Sequence, residues 1–151
     1  MALSGTLVKQ TAIKSNGDAL FEIFSHKPHH ISNMCPHNIQ GVDMLEGEWG
    51  SVGSVIVWNY HHDGRDCANK NVTEAIDREK KLVCFKVVEG TLMEFYKSFF
   101  LTIQVDTKAP KHLVTWTLTY EKHNENVQDP NALMEFCINC IKDIDNHLDK
   151  Q

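Results

Sequence analysis

Apolar residues recur at two spacings along this chain, and the switch between them divides it into elements. From Gly5 to Ile13, Leu7, Ala12 and Ile13 are interleaved with polar residues and end at the turn cluster "SNGD", which predicts a strand. From Asp18 the spacing becomes helical: Leu20, Phe21, Ile23 and Phe24 share one face, with Asn16 or Asp18 available as the cap. Pro28 ends that helix, because the residue before a proline is biased away from helical conformation, and it begins a second short helix through "HHISNM". Two short helices meeting at a proline form a V.

After Pro36 the period is two. "NIQGVDMLEG" predicts one strand, and "SVIVWNYH" a second, with Ile56, Trp58 and Tyr60 on one face and Val55, Val57 and Asn59 on the other. Asp63-Gly64 is a hairpin turn pair. "NVTEAI" follows, then the polar turn "DREKK", then "LVCFKVVEG", where Val83, Phe85 and Val87 oppose Leu82, Cys84 and Lys86. "SFFLTIQVD" collects Phe99, Leu101, Ile103 and Val105 on one face, and "HLVTWTLTYEK" sets Val114, Trp116, Leu118 and Tyr120 against a row of threonines. Between Cys67 and Ile76 the alternation is poor and assigns no face. The last element starts at Asp129-Pro130, with the proline as its first helical residue, and carries Leu133, Phe136, Cys137, Cys140, Ile141, Ile144 and Leu148 as one apolar stripe.

A half-buried sheet and an amphipathic helix each need a partner, and they supply it to one another. The predicted class is α+β: a seven-stranded curved antiparallel sheet around a long C-terminal helix, as one domain over residues 1–151. A sheet curled around a helix encloses more volume than the helix stripe fills. Trp and Tyr among the inward residues bring polar groups that seek partners. An apolar internal cavity with a few hydrogen-bonding groups is the expected consequence.

Composition narrows the function classes. With 15 Lys and Arg against 20 Asp and Glu, the net charge is −5, and no window concentrates positive charge, which argues against nucleic acid as a partner. No segment approaches the ~20 apolar residues of a membrane span, and the N-terminal stretch lacks a secretory pattern, so a cytoplasmic protein without stable membrane insertion is expected. The 5 cysteines are an odd number at irregular spacing and read as free thiols.

The segments "KPHHISNM", "IQGVDMLEGEWGSVGSVIVWNY", "EAIDREKK", "FKVVEG", "YKSF", "VDTK" and "LVTWTLTYEK" resemble, in order and spacing, the plant major latex proteins. That group belongs to the superfamily of the birch pollen allergen and the pathogenesis-related proteins of class ten. The resemblance implies the helix-grip fold, with two short helices forming a V and an internal cavity that holds hydrophobic ligands, in a defence, stress or latex setting. It also implies that Gly47, Gly50 and Gly53 form a glycine-rich loop shaping the cavity. Read from the residues alone, the three glycines are a tight strand connection. A phosphate cradle would require a Lys and a Ser or Thr after the last glycine with a helix behind, and here Ser54 leads into a strand.

Candidate chemistry is sparse. His26, His29, His30 and His37 crowd one segment, but Cys35 is the only nearby thiol and Pro28 interrupts their alignment, so polar caps and a pocket rim are the stronger reading and no metal is expected. Cys137 and Cys140 have redox-motif spacing but lie inside a helix on its apolar stripe, which favours packing. Some members of the superfamily catalyse condensations, isomerisations or eliminations in alkaloid pathways with a cavity Lys, carboxylate or Tyr. Here the inward positions carry no Lys or carboxylate, which leaves Tyr60 and Tyr120 as proton donors, with His29 or His30 at the rim. The expected function is therefore a carrier for a hydrophobic or aromatic small molecule, without a cofactor and as a monomer or weak dimer. A cavity enzyme acting as isomerase, cyclase or lyase is the alternative, and a stress-signalling interaction module the third reading. The expected ligand-contacting residues are Phe24, His30, Ile56, Trp58, Tyr60, Phe85 and Val87, together with Phe99, Leu101, Trp116, Leu118, Met134, Cys137 and Ile141.

Overall fold

The computed structural model describes residues 3–108 and 110–150. Strand β1 (Ser4–Ile13) leads to helix α1 (Gly17–His26), a 3-10 turn (Pro28–His30) and helix α2 (Ile31–Met34). Strands β2 (Ile39–Glu46), β3 (Val55–His62), β4 (Arg65–Asp77) and β5 (Leu82–Gly90) follow, then a second 3-10 turn (Thr91–Glu94), β6 (Tyr96–Asp106), β7 (His112–Lys122) and helix α3 (Asn131–Asp149). The strands form one antiparallel sheet in the order β1-β7-β6-β5-β4-β3-β2. Its ladder breaks register between Lys70 and Asn71 and between Thr73 and Ala75 on β4, and such bulges bend a strand and increase its twist. This is the helix-grip architecture, with α3 lying along the concave face.

Local chemistry explains the element boundaries. The Asn16 side chain accepts from Asp18 N at 2.8 Å and so caps α1. Asp63 and Gly64 both have positive φ, 54° and 78°, the geometry that joins two twisted strands with a two-residue turn. Two boundaries differ from the sequence expectation. Strand β4 begins at Arg65, well before "NVTEAI", because the backbone ladder with β3 runs from Val55↔Val72 through His62↔Arg65 whatever the side chains. Helix α3 begins at Asn131, with Pro130 as its N-cap and not its first residue; Met134 N donates to the Pro130 carbonyl at 3.0 Å.

The expected faces agree with the observed ones on the well-alternating strands. Val83, Phe85 and Val87 on β5, Phe99, Ile103 and Val105 on β6, and Val114, Trp116, Leu118 and Tyr120 on β7 are buried, whereas Thr119 and Gln104 are exposed. Val57 and Thr117, on the opposite parity, are only half-buried. Leu133, Met134, Cys137, Ile138, Cys140, Ile141 and Ile144 bury the inner side of α3. Among the described residues no helix is long and apolar enough to cross a membrane.

One buried charge ties α3 to the start of the V. Asp145 accepts from Ser15 N at 2.8 Å and from Lys14 N at 3.0 and 3.1 Å, and Ser15 Oγ donates to it as well. Burial by itself would raise this carboxyl, but the hydrogen bonds from Ser15 and from the Lys14 and Ser15 amides outweigh it and hold the group below its ordinary value. Asp145→Ala leaves those amides without their acceptor and is expected to cost about 1–3 kcal/mol in urea melts at neutral pH. A depressed folded value means that the stabilisation is present above the unfolded carboxylate range, about pH 4, and is lost as pH falls through the folded value. The gap between wild type and variant should therefore close in acid. A gap that is flat from pH 7 to pH 2 would show that the charge is not what ties the elements together.

Candidate functional site

A cavity of about 80 Å³ lies between the sheet and α3. Its wall is built from residues of five strands, Trp58 and Tyr60 on β3, Asn69 and Asn71 on β4, Phe85 and Val87 on β5, Leu101 on β6 and Trp116 on β7, closed by Leu133, Phe136, Cys137 and Cys140 of α3. Phe24 of α1, Ile39 of β2 and Leu92 of the second 3-10 turn complete it. Phe24 and Trp116 meet edge to face at 5.5 Å, and Trp58 meets Phe85 in the same way at 5.8 Å.

Strand β4 supplies the polar part. Its inward residues are Cys67, Asn69, Asn71 and Thr73, all buried. Asn69 Nδ2 donates to the Tyr60 hydroxyl at 2.6 Å, while Asn69 Oδ1 accepts from Leu92 N at 3.0 Å. The Asn71 amide, oriented by its neighbours, accepts from Trp58 Nε1 at 3.2 Å and donates to the Lys70 carbonyl at 3.2 Å. Gly90 lets β5 pass close to this row, since a Cβ there would stand 2.2 Å from the Ala68 carbonyl oxygen.

Outside the cavity, a groove of about 1230 Å³ runs between the β3–β4 hairpin, the second 3-10 turn and the segment leading into α3. Tyr60, Leu92 and Leu133 line both spaces and so partition them. Phe136 stands beside that partition, its ring 5.5 Å from Tyr60 and 5.3 Å from His62. The groove's rim is pinned where Tyr96 donates to the Gln128 carbonyl at 2.8 Å and Tyr120 donates to Asp129 at 2.7 Å, with Lys122 Nζ 3.0 Å from the same carboxylate.

Titratable groups on the wall are all driven toward their neutral forms. Burial raises the Tyr60 hydroxyl well above the ordinary phenol range and pushes the Cys137 thiol up to about 12. Cys140 is raised by its contact with Cys35 and by burial. Away from the wall, at the groove's rim, Tyr120 is pushed up to about 12 by burial and by its bond to Asp129. In the groove, burial lowers His62.

Of the residues expected to contact a ligand, Phe24, Trp58, Tyr60, Phe85, Val87, Leu101, Trp116 and Cys137 meet at this cavity. Ile56, Phe99, Leu118, Met134 and Ile141 are buried but lie in packed core outside the wall. Phe99, for instance, is enclosed by Tyr96 at 5.0 Å and Tyr120 at 6.1 Å. Strand parity assigns a face; whether that face meets a filled or an open region depends on where the helix crosses it. His30 is exposed, away from the cavity, because the tight 3-10 turn directs His29 toward the glycine-rich loop, where it stacks on Trp49 at 4.0 Å. That loop contributes nothing to the wall. Gly47, Gly50 and Gly53 all have positive φ, 88°, 85° and 90°, and a Cβ on Gly50 would come within 2.4 Å of the His26 ring. They make a strand connection clamped onto the V, and not a cavity lining.

The expected contacts omit Ile39, Asn69, Asn71 and Leu92, and also Leu133, Phe136 and Cys140, which the sequence reads only as part of the apolar stripe of α3. The two asparagines were hidden because inward polar residues cancel the hydrophobic alternation. The histidine cluster disperses: His26 pairs with Glu22 and Arg78, His29 with Trp49, and His37 is exposed. Among the described residues no three His, Cys, Asp or Glu side chains converge as a metal site would require.

The profile of the pathogenesis-related protein Bet v 1 family matches residues 2–151. MLP-like protein 28 of Arabidopsis thaliana is 47% identical over 149 residues, 97% of this chain and 44% of that protein, so the chain spans somewhat less than half of this relative's length. The crystal structure of ginseng major latex-like protein 151 from Panax ginseng superposes with a TM-score of 0.96 at 49% identity, covering 97% of this chain and 99% of that one. Norcoclaurine synthase from Thalictrum flavum shares the fold, with a TM-score of 0.70 at 14% identity over 94% of each chain.

Proposed function

This chain belongs to the pathogenesis-related protein Bet v 1 family, in its major latex protein-like branch, and we propose that it is a carrier for a mostly apolar or aromatic small molecule held between the sheet and α3. The observation that carries this reading is the apolar cavity separated from an open groove by side chains, Tyr60, Leu92 and Leu133 with Phe136 beside them. At about 80 Å³ the cavity is smaller than the roughly 300–1,000 Å³ that surrounds a metabolite-sized ligand. Binding therefore displaces the partition, and the ligand extends from the cavity into the groove. Phe24, Trp58, Tyr60, Phe85, Val87, Leu101, Trp116 and Cys137 are the proposed contacts at its inner end.

The alternative, an isomerase, cyclase or lyase of plant specialised metabolism, has less to work with. Its acid or base would be Tyr60, Cys137 or Cys140, and burial, preceded at Cys140 by the contact with Cys35, holds each in the neutral form, far from the near-neutral pKa that general acid–base catalysis favours.

The carrier reading is tested with N-phenyl-1-naphthylamine, an uncharged aromatic probe, by tryptophan fluorescence. Saturable quenching with one site per chain and little change between low and high salt is expected, because apolar burial supplies the affinity and charge does not. Trp116→Phe should weaken the response more than Trp49→Phe, since Trp116 is in the wall and Trp49 is in the loop. Absence of binding in the micromolar range, or a steep loss with salt, would overturn the proposal in favour of an interaction module with a filled core.

A further inference from the structure

The segment from Asn124 to Pro130 joins β7 to α3 and forms one side of the groove. Its first residues, Asn124, Glu125 and Asn126, are exposed, and the bonds there are local: Asn126 N donates to Asn124 Oδ1 at 2.9 Å and Val127 N to the Asn124 carbonyl at 3.3 Å. The far end is fastened to the sheet. Tyr96 on β6 donates to the Gln128 carbonyl at 2.8 Å, Tyr120 on β7 donates to Asp129 at 2.7 Å, and Lys122 Nζ lies 3.0 Å from the same carboxylate oxygen. Gly5 on β1 leaves room for this arrangement, since a Cβ there would stand 2.6 Å from the Tyr120 hydroxyl oxygen. Both phenols are pushed up to about 12, chiefly by burial, and so keep the protons they donate, while the bonds from Tyr120 and Lys122 hold Asp129 below its ordinary value.

Pro130 follows directly, is buried and caps α3, and the first two turns of that helix carry Leu133 and Phe136, which stand in and beside the partition between cavity and groove. One residue separates Asp129 from the helix, so whatever fixes Gln128 and Asp129 also fixes those turns. The other end of α3 is held separately, by Asp145 on the amides of Lys14 and Ser15. Resting on the carrier reading above, we infer that Tyr96, Tyr120 and Lys122, closing on Gln128 and Asp129, form a latch whose release lets the start of α3 swing from the sheet and passes the ligand between groove and cavity. The far end of the helix stays anchored and serves as the pivot. A few hydrogen bonds suit this task, because each contributes modestly and all can break and re-form together on the timescale of loop opening.

Stopped-flow fluorescence with N-phenyl-1-naphthylamine tests the latch on the intact chain, comparing wild type, Tyr96→Phe/Tyr120→Phe and Asp145→Ala. The latch is closed with and without ligand, so weakening it should raise the association and dissociation rates together, each on the order of tenfold, and leave the dissociation constant within about twofold. Asp145→Ala removes a comparable set of bonds at the pivot and should move neither rate by more than about twofold. Should the double variant fail to fold, Tyr96→Phe and Tyr120→Phe singly should each show the same paired acceleration at smaller size. Rates unchanged by the tyrosine substitutions, or raised equally by Asp145→Ala, overturn the latch, while saturable binding keeps the carrier reading. Faster dissociation alone, with weaker binding, would mean that the tyrosines hold the ligand and not the helix, which overturns the latch as well. A wild type that binds no probe overturns both.

Discussion

Ile141→Asp should leave no cooperatively folding protein. Ile141 sits at the middle of α3, is wholly enclosed, and belongs to the stripe that closes the concave face of the sheet. A carboxylate there either ionises in an apolar surround or pays to stay neutral without partners, and a buried uncompensated charge costs about 3–5 kcal/mol or more. Against a typical domain stability of about 5–15 kcal/mol, with the lost packing of the isoleucine added, little is left. Ile141→Val, which keeps the shape and the apolar character, should cost only about 0.5–1.5 kcal/mol. Thermal melts followed by circular dichroism decide the matter. A cooperative transition for the aspartate variant within a few degrees of wild type would mean that α3 is not the element that closes the core.

Phe136→Ala is expected to open the cavity. The Phe136 ring is part of the cavity wall and touches both Tyr60 and His62, so its removal joins the interior to the groove and lets water reach both. Two changes follow. Association of N-phenyl-1-naphthylamine should accelerate by on the order of tenfold in stopped-flow fluorescence, because binding that waits on displacement of a side chain is slower than binding to an open site. His62, held below its ordinary value chiefly by burial, should titrate higher in NMR, toward the ordinary histidine value near 6.5, as solvent stabilises its charged form. A stability loss of about 1–3 kcal/mol is expected for truncating a half-buried aromatic. Unchanged association and an unmoved His62 would place the entrance elsewhere.

Periodicity determines one thing well, which is the face a side chain takes. Wherever one side of a strand was apolar and the other polar, as at Val83-Phe85-Val87 or Val114-Trp116-Leu118-Tyr120, the inward set could be read directly, since a shift of one residue would put every apolar group in water. The helical stripe of α3, the proline at the V and the Asp63-Gly64 hairpin were legible for the same reason: each is a local preference that agrees with the global fold. Depth was not legible. Phe99, Leu118 and Ile141 face inward as surely as Phe85 and Trp116 do, yet they meet packed core while the others meet open space, and that difference depends on where α3 crosses the sheet. Nor was β4, whose inward Asn69, Asn71 and Thr73 look like a solvated strand until Tyr60, Trp58 and Leu92 arrive from elsewhere in the chain to satisfy the two asparagines. The sequence by itself determined the sheet, the helix and the hollow between them, because hydrophobic pattern is a property of neighbours along the chain. Which polar groups around that hollow are matched, and that the buried Trp116 Nε1 is left without an acceptor among the described residues, only the tertiary structure decided, because a hydrogen bond between distant residues depends on distance and direction in space, and no periodicity encodes them.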